Sequence, residues 1–103
     1  MSLSTAATLE ASARRLFPGQ SLDQVMAELL LERAQKNLIK YQTMARQFEA
    51  KYGQGFQAFR QAILQTEPAT EMEQDYFDWE LAVTGSQDMA EEIERLKRLA
   101  HPL

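Results

Sequence analysis

The sequence predicts an all-α fold in a single helical domain spanning residues 1–103, and three features predict it. Residues 22–52 run without Gly or Pro and are dominated by Ala, Leu, Glu, Gln, Lys, Arg and Met, which lose least on entering a helix. Apolar residues elsewhere recur at steps of three and four rather than two. Glycine and proline fall between the periodic stretches, at Pro18-Gly19, Gly53-Gln54-Gly55, Pro68 and Gly85. The expected architecture is a bundle of one dominant long amphipathic helix with three or four shorter ones.

Residues 2–17 place Ala6, Leu9, Ala13, Leu16 and Phe17 at helical steps, a short helix of mostly small residues that buries little area. Residues 1–20 are accordingly expected to fray or to swap onto a neighbour. Ser21 is a good N-cap for the long helix, and Gln24 completes a capping-box spacing. Gly53 supplies the left-handed stop. The expected core stripe is Leu22, Met26, Leu30, Ala34, Leu38, Tyr41, Ala45, Phe48 and Tyr52, with Val25, Leu31 and Ile39 at its margins or behind it. A helix of this span is roughly 45 Å long at about 1.5 Å per residue, against a radius of gyration of about 13 Å for a compact domain of this size. It therefore bends, or a second copy covers it; the second alternative is favoured. Val25, Leu31, Ile39, Phe77 and Leu81 are the residues expected in that homodimer interface.

Phe56, Phe59, Ile63 and, at the edge, Leu64 predict a short helix whose aromatic pair folds back on Phe48 and Tyr52. Thr70 is the expected cap of the next helix, with Glu73 three residues on. Within it Met72, Tyr76, Trp79 and Val83 form one stripe, and Phe77 and Leu81 lie nearly opposite. Gly85-Ser86 allows a bend or a new N-cap, or a helix that runs on with a kink there. Met89, Ile93, Leu96 and Ala100 close the pattern before His101-Pro102.

Composition bounds the function. A hydrophobic content of 45% and a charged content of 25% are ordinary globular values. Cysteine is absent, which removes disulfides, thiolate nucleophiles and zinc-thiolate sites, and fits a reducing cytoplasm. No apolar run reaches the length of a membrane span, and the N-terminus lacks the order of a signal peptide, so a cytoplasmic protein with no membrane contact is expected. The net charge of -4 argues against nucleic acid as a partner. From Arg33 to Arg60 the charges are basic except Glu49, whereas from Glu67 to Glu94 all are acidic. Such a split predicts two elements of one fold, or of a dimer, facing each other with complementary charge, or a surface that steers a basic partner.

No phosphate loop, nucleophile elbow or Ser/His/Asp set is present, His101 is the sole histidine, and no catalytic residue, cofactor or metal is expected. One alternative places Glu71, Asp75 and Asp78, which share a helix face, in a hard-cation or acid/base site; solvated charge is the commoner outcome for such a trio. Tyr76, Phe77 and Trp79 read first as core, and second as an aromatic hot spot.

Ser21-Leu22, Phe48-x-x-Lys51-Tyr52-Gly53, Phe56-x-x-Phe59 and Tyr76-Phe77-Asp78-Trp79-Glu80 occur in order over residues 21–100. In this the chain resembles a group of small helical bacterial proteins encoded beside a small toxin-like gene and regarded as antitoxin partners of toxin–antitoxin modules. It departs from them in its Ala-rich first twenty residues and in lacking an acidic start to the long helix. The resemblance implies a protein–protein interaction module in which Glu71, Asp75, Tyr76, Phe77, Asp78 and Trp79 bind a small basic toxin. The alternative is a structural or adaptor homodimer with no toxin partner.

Overall fold

A computed structural model describes residues 3–101; the expected helix start at Ser2 and the closing Pro102 lie outside them. The order is α1 (Leu3–Leu16), α2 (Leu22–Tyr52), α3 (Phe56–Leu64) and α4 (Thr70–Ala100). The described residues contain helices and connections only.

Two helices dominate where one was expected, because α4 runs for 31 residues, as does α2. Gly85 does not recap the chain; it is buried inside a continuous α4. The two long helices form an antiparallel hairpin. Lys51 near the end of α2 meets Asp75 near the start of α4, while the Gln24 side chain reaches the Ala100 carbonyl oxygen at 3.5 Å at the other end.

The seam between them follows a seven-residue repeat. On α2 it holds Ala27, Leu31, Ala34, Leu38, Tyr41, Ala45, Phe48 and Tyr52, and on α4 Trp79, Ala82, Met89, Ile93, Leu96 and Ala100. Alternating steps of four and three keep one helical stripe on a partner helix over several turns. The expected stripe is therefore right from Ala34 onward and wrong before it. Leu22, Met26 and Leu30 are 48%, 54% and 50% exposed, whereas Val25 and Leu31, expected on the far side for a second chain, are buried at 4% and 7%. Three backward steps of four from Ala34 rotate the line by about 120°, away from the seam. Leu31 lies in the seam itself. Val25 is buried near the start of α2, which α1 packs against.

The caps are local and mostly as expected. Ser21 Oγ accepts from the Gln24 N–H at 3.1 Å, and Gly53 closes α2 at φ 65° with its N–H donating to the Glu49 carbonyl oxygen. The start of α4 is one residue earlier than expected, with Ala69 as N-cap and Thr70 already helical. In α1 the helix is formed, but Leu9 and Leu16 are 54% and 75% exposed, so its apolar side is only partly used.

α3 caps one end of the hairpin. Phe59 and Ile63 enter a cluster with Trp79, and Phe48, Tyr52, Phe56, Met72, Tyr76 and Val83 pack around it. The molecule measures 58 × 34 × 18 Å with a radius of gyration of 19.9 Å, well above the about 13 Å of a compact domain of this length.

Candidate interaction surfaces

The densest chemistry sits where α2 ends and α4 begins. The Gly53-Gln54-Gly55 connection and α3 bring the chain back so that Lys51 Nζ lies 2.6 Å from Asp75 Oδ2 and 2.9 Å from Glu71 Oε1. The Tyr52 hydroxyl donates to the same Asp75 oxygen at 2.5 Å. Hydrogen bonds from Lys51 and then Tyr52 hold the Asp75 carboxyl below its ordinary range, while bonding to Asp75 and Glu71 raises the Lys51 ammonium. Burial, reinforced by the bond to Asp75, raises the Tyr52 hydroxyl. This is a structural clamp between two helix ends. It also resolves the carboxylate trio, because Asp75 and Glu71 share Lys51, and Asp78 accepts instead from the Gln74 side chain at 3.0 Å. Among the described residues no group of His, Asp and Glu could hold a metal ion.

Behind the clamp lies an aromatic box. The Trp79 ring centroid stands 5.1 Å from Phe59, 5.4 Å from Phe56, 5.7 Å from Phe48 and 6.1 Å from Tyr52. Trp79 and Phe59 are fully buried. Of the aromatic trio, then, Trp79 is core and closed to a partner, Tyr76 is half-buried against Phe56, and Phe77 is 55% exposed. Of the residues expected to bind a partner, the fold leaves Phe77 open and Glu71 on the surface, and holds Asp75 inside the clamp.

The outward face of α4 carries what sequence reading missed. Glu73, Phe77, Glu80, Thr84 and Glu91 recur at helical steps and are all exposed, giving an acidic strip with one aromatic ring in it. Off the seam of α2, Lys36 and Arg46 on its outward side and Arg33 and Lys40 toward one flank are exposed, and among the described residues none of them forms an ion pair. Among the described residues, the meeting of basic α2 and acidic α4 within one chain thus occurs only at Lys51. Elsewhere the seam separates the two signs onto different faces. Helical angle applied to the exposed positions alone, after assigning the seam, would have shown both strips.

A third surface is apolar. Met26 and Leu30 of α2 line a groove with Leu96 and Leu99 of α4, and Leu99 is 64% exposed. Ile39 and Leu81, expected at a dimer interface, are likewise open at 61% and 57%. No helix among the described residues is long and apolar enough to cross a membrane. Comparison of the chain with protein-family models, curated proteins and solved structures finds no match.

Proposed function

We propose that this chain is a non-enzymatic, cytoplasmic protein-interaction module that self-associates as a homodimer and neutralises a small basic partner, in the manner the antitoxin resemblance implies. The observation that carries this reading is the outward face of α4, where Glu73 and Glu80 flank the exposed Phe77 one turn away on either side and Glu91 continues the acidic line. An aromatic ring held open amid charge of one sign suits a basic protein surface, since the ring supplies contact area and cation–π attraction while the carboxylates steer approach. The clamp and the aromatic box fix this helix from behind, so the face is presented rigidly and little ordering entropy is lost on binding.

The partner to test is the product of the neighbouring gene. Light scattering on the mixture should give a stoichiometric complex, and Glu73→Lys with Glu80→Lys should abolish it while leaving the circular dichroism of the free chain unchanged. Asp75 is a poor site for such a reversal because it would break the clamp. If the double reversal binds as well as the parent chain, the acidic face is not the docking surface. The second reading, a structural homodimer without a toxin partner, is favoured by the open apolar groove and would be left standing by a chain that dimerises but ignores that gene product.

A further inference from the structure

We infer that a second copy of this chain covers the flank of the hairpin that carries Met26, Arg33 and Lys40 on α2 and Leu81, Asp88 and Leu99 on α4, related by a two-fold axis running along the hairpin. This rests on the self-association in the reading above and specifies its surface and direction.

The first support is area. The chain exposes 7693 Å², whereas surface-to-mass scaling gives roughly 5,900 Å² for a compact monomer of this mass. The excess, roughly 1,800 Å², is more than the about 800 Å² that each partner contributes to an ordinary stable interface. The second is where cover is missing. α3 packs on the side of α4 that carries Tyr76 and Val83, and α1 packs on the start of α2, where Val25 is buried. Leu81 and Leu99 project about 160° away from Val83 around α4 and are left open, at 57% and 64% exposed.

The third is self-complementarity, which a two-fold contact requires because each copy offers the same patch. Two such hairpins can pair flank to flank in two ways. An axis across the hairpin lays α2 against α2 and α4 against α4, which sets basic residues against basic and acidic against acidic. An axis along the hairpin lays α2 of one copy beside α4 of the other; neighbours are antiparallel in both arrangements, so charge decides between them. Rotation about that axis cannot slide one copy past the other, so the pairing register is that of the chain's own seam, in which Tyr41 meets Gly85 and Phe48 meets Trp79. Met26 then falls beside Leu99, Lys40 near Asp88 and the half-buried Met44 beside Leu81. Apolar meets apolar toward both ends of the flank and basic meets acidic at Lys40 and Asp88 between them, and the result is a four-helix bundle.

The absence of cysteine makes a direct test available. Met26→Cys chains mixed with Leu99→Cys chains should oxidise to a two-chain product, while Asn37→Cys, which lies at the middle of α2, should not link to its own copy. Light scattering should give twice the chain mass. Lys40→Glu should weaken self-affinity about tenfold, a shift readily measured by dilution, and Asp88→Lys added to it should restore it; both sites are exposed, so helicity stays constant. A monomer at all concentrations overturns the inference and the self-association together. A dimer that links through Asn37→Cys, or that Lys40→Glu leaves untouched, overturns this surface or direction while self-association and the acidic binding face stand.

Discussion

Gly85 offers a sharp check on the seam. It lies mid-helix, where glycine costs about 1 kcal/mol relative to alanine, so the propensity argument alone makes Gly85→Ala stabilising. The packing says the reverse. A Cβ at Gly85 would stand 2.8 Å from two carbons of the Tyr41 ring and 2.9 Å from a third. Overpacking of this kind costs about 1–3 kcal/mol, so the net effect is a loss of up to about 2 kcal/mol, or several degrees in melting temperature at about 4–8 °C per kcal/mol. The penalty belongs to the ring. In a Tyr41→Ala background the same Gly85→Ala change should regain the helix propensity and stabilise by about 1 kcal/mol. The assay is a double-mutant cycle by urea unfolding followed at 222 nm, at one fixed chain concentration because association shifts apparent stability. The expected coupling is about 1–3 kcal/mol. Equal stabilisation in both backgrounds would show that Tyr41 does not occupy the seam at Gly85, and the register of α2 on α4 would have to be redrawn.

Trp79→Ala should cost about 3–5 kcal/mol in urea unfolding, since it empties the centre of the aromatic box; Phe77→Ala, two residues away but exposed, should stay within about 0.5 kcal/mol. The Asp75 carboxyl titrates below its ordinary value of 3.8 in the folded chain, so its contribution is present in full above that value and is lost as pH falls through the folded one. The stability difference between parent and Asp75→Asn should thus be constant from pH 5 to 8 and shrink below about pH 4, and a difference that grows on acidification would contradict the clamp. Amide hydrogen exchange should protect residues 45–52 and 72–83, which have α3 against them, better than residues 22–30, whose large side chains are half open; the opposite order would place the stable core at the wrong end.

The helices were legible because their signals are local. Ser21 with Gln24 and Gly53 with its left-handed φ each act within one turn, and both ends of α2 follow from them. The aromatic meeting of α3 with Phe48 and Tyr52 was also legible, because the connection at Gly53-Gln54-Gly55 is too short to carry α3 elsewhere. Gly85 left three outcomes open for a physical reason. A glycine inside a helix reads as a break when only backbone entropy is weighed, and its value here lies in a ring brought from forty-odd residues away. The same limit explains Leu22, Met26 and Leu30. They are as apolar as the true seam residues, and only the partner helix decides which of two adjacent lines is covered. Of the site, the charge split and the aromatic-acidic stretch were visible, but the roles within it were not. Asp75 and Trp79 turn inward and Phe77 outward because of tertiary contacts that no spacing on a single helix encodes.

The surface charges follow from how little of each long helix the hairpin consumes. A two-helix seam needs two positions in seven, and here small residues, Ala27 and Ala34 on α2 with Ala82, Gly85 and Ala100 on α4, take several of them and let the helices approach closely. The remaining positions are free of packing duty and can carry charge. Outward-facing basic residues of α2 and acidic residues of α4 then stand about two helix diameters apart, or roughly 20 Å, beyond the about 8 Å over which physiological salt lets exposed charges feel each other. They neither neutralise nor stabilise one another, so their retention in single-sign strips contributes little to the fold. Among the described residues, opposite charges of α2 and α4 are joined only at Lys51, where the turn brings the helix ends together. At chain concentrations low enough to keep the chain monomeric, raising the salt concentration should therefore leave unfolding almost unchanged while weakening any complex made through Glu73 and Glu80, which separates the work of the seam from the work of the surface.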